Sequence, residues 1–168
     1  MTARLKTGTA EPISVMPYLD YETARSLLIN QWGDDALVIG GKAHKASEMT
    51  LKGAFAPDGT LGGVAYYRMS GMVALLGAIV VTDGGRGMGT ALFNAVADEA
   101  RSQKMKRLRA ITTNDNFEAM AFFQKRGMRF MSMFPGGVDA FRAFKPGLKE
   151  FGMHGIVCRD VFELELDL

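Results

Sequence analysis

Cysteine is nearly missing from this sequence: Cys158 is the only one in 168 residues, which excludes an internal disulfide and any metal site built on several thiolates. Such a chain fits a reducing compartment, and the cytoplasm is the expected location. Charge of one sign is missing too. Lysine and arginine number 20 against 18 aspartates and glutamates, a net charge of +2, so bulk electrostatics argues for neither nucleic acid nor a membrane surface as partner. No run of ~18 apolar residues occurs, and Met1 to Glu11 lacks the apolar segment that a signal peptide needs. Apolar residues make up 48% and charged residues 23%, far from the composition of disorder. At ~150 residues per domain the length fits one: residues 1–10 read as a flexible tail and 11–168 as a single domain.

What is present is a regular succession of elements. Pro12 to Val15 reads as a short strand, and Asp20 caps a helix from Tyr21 to Trp32, with Ala24, Leu27, Leu28 and Trp32 on one face and Gly33 stopping it. Leu37 to Ile39 is extended. Leu51 to Ala56 and Leu61 to Arg68 flank Pro57-Asp58-Gly59-Thr60, a hairpin turn. Met72 to Val81 is apolar but for Gly77 and too short for a bilayer, so it reads as a central strand buried on both faces. Met88, Leu92, Val96 and Ala100 then recur every fourth residue, as in a helix. Leu108 to Thr113 is a strand, and Asp115 with Glu118 has the form of a helix cap. The helix that follows carries Ala119, Met120 and Phe123 and ends at Gly127. Met128 to Phe134 is a strand, Pro135-Gly136-Gly137 a turn, and Val138 to Phe144 a short helix that stops before Pro146. Phe162, Leu164 and Leu166 alternate with acidic residues in a half-buried closing strand. The order predicts a mixed α+β fold. Arg101, Lys104, Lys106, Arg107 and Arg109 read as a solvated basic surface at a helix end.

Four glycines in Gly84-Gly85-Arg86-Gly87-Met88-Gly89-Thr90 stand between a buried strand and an amphipathic helix. Backbone N–H groups in such a loop converge on an anion, and the helix start adds roughly half a positive charge. Spacing narrows the anion. A dinucleotide fingerprint beginning at Gly85 needs glycine where Thr90 stands, and no acidic ribose partner follows at ~20 residues. A P-loop needs Gly-Lys before Ser or Thr, which does not occur.

The loop resembles the pyrophosphate loop of the GNAT N-acetyltransferase superfamily, Gln/Arg-x-x-Gly-x-Gly/Ala. Asn116-Phe117-Glu118-Ala119 is similar to that family's Asn-x-x-Ala, and Phe122-Phe123-Gln124-Lys125-Arg126-Gly127-Met128 to its Phe-Tyr-x-Lys-x-Gly-Phe. The likeness covers roughly residues 50–134, and the tail from Lys145 resembles that of small uncharacterised bacterial members. It implies a GNAT-like, mostly antiparallel central sheet flanked by helices in one domain. It also implies acetyl-CoA as co-substrate, no metal, and direct transfer in a ternary complex to a primary amine of a small molecule or peptide. Carried over by position, Gly84, Gly85, Arg86, Gly87, Met88, Gly89 and Thr90 cradle the pyrophosphate. The pantetheine arm runs along Gly77, Ala78, Ile79 and Val81, faced by Asn116, Ala119 and Phe123. Gly77 also suits a bulge or a close packing contact.

Two positions depart from the pattern. Gly84 stands where the family has Gln or Arg, with Arg86 nearby to compensate. Phe123 stands where many relatives carry the tyrosine that protonates the leaving thiolate, and phenylalanine has no proton to give. A thiolate whose conjugate acid lies near ~8.5 is already a fair leaving group, so the loss is survivable. Candidate catalytic side chains are Asp115, Tyr66 and Tyr67, with capping and core packing as their ordinary explanations; His44 and His154 read as structural or exposed. Lys125 and Arg126 suit either the coenzyme's 3′-phosphate or a plain surface role. Beside the enzyme stand two other readings, a coenzyme A-binding module with reduced or lost catalysis and a structural or regulatory homodimer.

Overall fold

The computed structural model describes residues 12–39, 41–82, 84 and 86–168. The expected tail at 1–10 and Gly85 of the glycine loop lie outside them. The chain runs β1 (Ser14–Pro17), α1 (Tyr21–Trp32), β2 (Ala36–Ile39), β3 (Lys42–Lys45), β4 (Thr50–Phe55), β5 (Leu61–Ser70), β6 (Val73–Val81), α2 (Met88–Ser102), β7 (Arg107–Thr113), α3 (Phe117–Gln124), β8 (Arg129–Phe134), α4 (Gly137–Arg142) and β9 (Val161–Asp167). Seven strands form one sheet in the order β1-β4-β5-β6-β7-β9-β8, and β2 pairs with β3 separately. Every pairing in the large sheet is antiparallel except β6 with β7. The expected mixed, mostly antiparallel α+β architecture is what the chain adopts.

Local signals place the elements. Asp20 accepts from the Thr23 N–H at 3.0 Å to start α1, and Gly33, at φ 75°, ends it in the left-handed region that glycine tolerates. The apolar face of α2, with Leu92, Val96 and Ala100 fully covered, packs on one side of the sheet. On the other side Ala24 and Leu28 of α1 join Leu37 and Ile39 of β2.

Gly77 determines how β6 serves both layers. The register pairs Tyr66 with Ala78 and Tyr67 with Leu76, so Gly77 is the extra residue of a β-bulge. Strand alternation inverts across it. Ala74 and Leu76 belong to the α2-side core, whereas beyond the bulge Ile79 and Val81 take that side and Ala78 and Val80 join the α1-side core. A Cβ at Gly77 would also lie 2.9 Å from both Ile39 Cδ1 and Met49 Cε, so bulge and close packing coincide.

One expectation is corrected. Arg107 and Arg109 lie on β7 and not at a helix end: Arg109 is partly buried and pairs with Glu163 at 2.8 Å and Glu165 at 2.6 Å, while Arg107 is exposed, as expected, and pairs with Glu165 at 3.1 Å. The closing strand is interior to the sheet. β9 lies between β7 and β8, which is why Glu165 on its polar face is buried beneath the arginines.

Candidate functional site

The parallel pairing of β6 with β7 covers only Val73–Arg107 to Leu76–Ala110. Beyond the bulge the strands part, so Gly77, Ala78, Ile79 and Val81 present an edge to β7 that has no strand partner among the described residues. Backbone N–H and C=O groups left open this way seek partners elsewhere. A slot results, with β6 as one wall and the end of β7 as the other.

The glycine loop and α2 begin where β6 ends. Gly87, at φ 82°, is the N-cap of α2 and, as a glycine, makes no side-chain capping bond. The first helical bond runs from Ala91 N–H to the Gly87 carbonyl at 2.9 Å, so the N–H groups of Met88, Gly89 and Thr90 have no partner within the helix. Gly84 and Arg86 are exposed in the loop, and a Cβ at Gly84 would meet nothing within 4 Å. Gly89 admits α3 instead: a Cβ there would lie 3.3 Å from the Phe122 ring.

A charge also reaches this end from α3. Arg126 donates to the Thr90 hydroxyl and, at 2.6 Å, to the Phe122 carbonyl. Its guanidinium carbon sits 3.4 Å from the Phe122 ring centroid. Burial lowers its pKa, but from so high a value that the cation persists. The family motif left Arg126 open between a phosphate contact and plain surface; the fold turns it toward the first turn of α2.

The helix cap before α3 is Asn116, whose side chain accepts from Ala119 N–H at 3.0 Å, and not Asp115 as the spacing to Glu118 predicted. Asp115 is buried and holds the tail, its Oδ2 accepting from Met153 N–H at 2.8 Å. Its Oδ1 is buried without a hydrogen-bond partner among the described residues. Burial pushes the carboxyl pKa up, but the neighbouring Thr113 hydroxyl, the Met153 N–H and the Cys158 thiol outweigh it and hold the group below the usual carboxylate range. Asn114 completes the attachment by accepting from the N–H groups of Arg159 at 2.9 Å and Asp160 at 3.0 Å. Three consecutive side chains thus do three tasks, and only that of Asn116 had a local signal.

Asp115 forms part of a cleft of about 670 Å³ between the last turn of α1, the end of β7 and the tail around residues 147–153. Trp32, Phe151 and Met153 line it while remaining 40%, 56% and 43% exposed. No local sequence signal marks this cleft, because its walls are far apart in the chain.

The tyrosines lie on opposite faces of β5. Tyr67 donates to Glu99 Oε2 at 2.9 Å in the α2-side core, and Lys52 Nζ meets the same oxygen at 2.6 Å. Tyr66 is fully buried in the α1-side core, and its hydroxyl finds no partner among the described residues. Burial pushes its pKa far up. Core packing is what both positions do. Tyr66→Phe removes an unsatisfied buried hydroxyl and is expected to raise unfolding free energy by about 1 kcal/mol, read from the urea midpoint, with unchanged turnover. Phe123 packs half-buried against Phe93 and Phe122. His44 lies on β3 beside Glu48, and His154 stacks on Phe117 at 5.6 Å.

Among the described residues no group of His, Cys, Asp and Glu is arranged to hold a metal ion, and no helix is long and apolar enough to cross a membrane. The Acetyltransferase (GNAT) family matches residues 21–128. The chain is 33% identical over 129 residues to the uncharacterized protein YdhI of Bacillus subtilis, covering 77% of this chain and 81% of that protein. Its fold is similar to a Bacillus subtilis acetyltransferase solved in complex with CoA, with TM-score 0.70 and 17% identity over 94% of this chain and 99% of the other. It is also similar to a GNAT family acetyltransferase from Elizabethkingia anophelis with acetyl-CoA bound, with TM-score 0.68 and 19% identity over 93% and 98% of the two chains.

Proposed function

Because the chain belongs to the Acetyltransferase (GNAT) family, we propose that it moves an acetyl group from acetyl-CoA to a primary amine by direct transfer in a ternary complex. The observation that carries this reading is the junction of the open β6 edge with the uncapped start of α2. In this reading the N–H groups of Met88, Gly89 and Thr90 donate to the pyrophosphate, with Gly84, Gly85, Arg86 and Gly87 forming the loop around it. Arg126, anchored on Thr90, supplies the positive charge that Gly84 lacks. The edge from Gly77 through Ala78 and Ile79 to Val81 pairs with the pantetheine amides, and Asn116, Ala119 and Phe123 line the facing wall. N–H groups of that edge stabilise the carbonyl oxygen as it gains charge.

Calorimetry with acetyl-CoA, followed by thiol release over a panel of primary amines, tests the proposal. No heat near a millimolar acetyl-CoA overturns it. A second reading, a coenzyme-binding module with reduced catalysis, is favoured by Phe123, since no acid stands at that place. Phe123→Tyr separates the two: kcat is expected to rise about tenfold with acetyl-CoA affinity unchanged, less than the ~100-fold of a full general acid because a thiolate leaves readily. An unchanged kcat means that the thiolate departs without protein help.

A further inference from the structure

Resting on the acetyl-transfer reading, we infer that the cleft at Asp115 is the acceptor site and takes a primary ammonium borne on an apolar body without a carboxylate. Its floor is at the end of β7, the strand that forms one wall of the slot: Thr113, Asp115 and Asn116 line it. Asp115 is only 5% exposed, and its Oδ1 lacks a hydrogen-bond donor among the described residues. Asp115 lines the cleft with its carboxylate buried and one oxygen unsatisfied among the described residues, and such a carboxylate calls for a cationic donor. The walls state the rest of the ligand. Trp32, Phe151 and Met153 leave large apolar surfaces open around the cleft, and such clustered exposure marks a surface meant to be covered.

Charge selects against anions. Among the described residues the charged side chains lining the cleft are Asp115 and Lys149; the lysine is exposed and screened by water, whereas the carboxylate is buried. An α-carboxylate beside the reacting amine would be forced close to Asp115 with no buried cation to offset it. In the reaction the bound ammonium releases its proton to water and the freed nitrogen forms a bond to the thioester carbonyl carbon. The carbon–sulfur bond then breaks and the sulfur departs as thiol, leaving one net proton in solution. Asp115 holds and orients the ammonium. Its carboxyl, kept more acidic than usual, is a poor base.

The test compares phenethylamine with phenylalanine, which differ by one carboxylate. Calorimetric binding of each to the free protein is measured alongside thiol release. Phenethylamine is expected to bind, and to exceed phenylalanine in kcat/KM by at least about 100-fold. Asp115→Asn keeps an acceptor for Met153 N–H but removes the charge; it is expected to raise the phenethylamine KM at least about tenfold with kcat little changed. Phe151→Ala, at an exposed wall position, is expected to raise KM about fivefold. Equal use of phenylalanine, an unchanged KM in both variants, or acetyl-CoA binding without phenethylamine binding each overturns the inference. Loss of acetyl-CoA binding alone, with the amine still binding, overturns the acetyl-transfer reading and leaves the cleft assignment standing.

Discussion

Gly87→Glu is expected to lower acetyl-CoA affinity by at least about 100-fold while the protein stays folded. Gly87 combines two roles in one residue: its φ of 82° shapes the turn into α2, and its position borders the N–H groups of the first helical turn, which have no partner within the helix. A side chain held in the left-handed region costs ~1–2 kcal/mol. The added carboxylate would occupy the helix start itself, capping donors that the proposal assigns to the pyrophosphate and repelling its charge. Space is not the obstacle, since a Cβ there meets only Ile13 Cδ1, at 3.6 Å. Gly87→Asn is therefore the control: asparagine tolerates a left-handed backbone and carries no charge, so it is expected to keep most of the affinity. Calorimetry on both, with circular dichroism to verify folding, decides the matter. A folded Gly87→Glu with wild-type affinity removes this helix start from the coenzyme site.

The second large effect is expected at Gly152→Ala. A Cβ at that position would overlap the carboxyl group of Asp115. The carboxylate cannot simply move aside, because it is buried and its Oδ2 is already held by the next residue's N–H, that of Met153. The tail must lift from β7 instead. We expect a loss of about 2–3 kcal/mol, faster amide exchange through residues 150–158, and a raised KM for amine acceptors with acetyl-CoA affinity retained. An unchanged melting temperature with unchanged exchange in that segment contradicts the account of how the tail is held.

Much of this fold was legible because its signals are local. Asp20 and Gly33 bracket α1 where composition said they would, the fourfold recurrence from Met88 to Ala100 marks the buried face of α2, and Pro57 to Thr60 closes the hairpin of β4 and β5. The glycine loop before α2 and Asn116 before α3 were legible for the same reason, since each lies within a single turn of chain. What escaped depends on partners remote in sequence. Alternation along Phe162 to Asp167 reveals two faces but not which strands lie alongside, so Arg109 of β7 looked solvated while in the fold it meets Glu163 and Glu165. Asp115 is three residues from Glu118 and fits a capping pattern equally well in print; only the return of the tail to Met153 shows what holds it. The cleft at Asp115 is invisible to any window of sequence, because α1 and the tail meet only once the sheet has formed.

The interior position of β9 bears on how the chain reaches its native state. Arg107 and Asp167, 60 residues apart, are neighbours across one ladder, so β7 waits for residues 161–167 before its second edge is covered, and β8 has no strand beside it until the same moment. At ~5–20 residues added per second on the ribosome, that interval is on the order of seconds. Throughout it, a half-built sheet displays an unpaired edge at β7 and apolar side chains on β8, such as Phe130 and Phe134, the kind of surface that recruits other chains. Closure by a distant segment also makes the last step slow. Yield during expression should therefore depend more on the arrival of β9 than on the intrinsic stability of the finished domain.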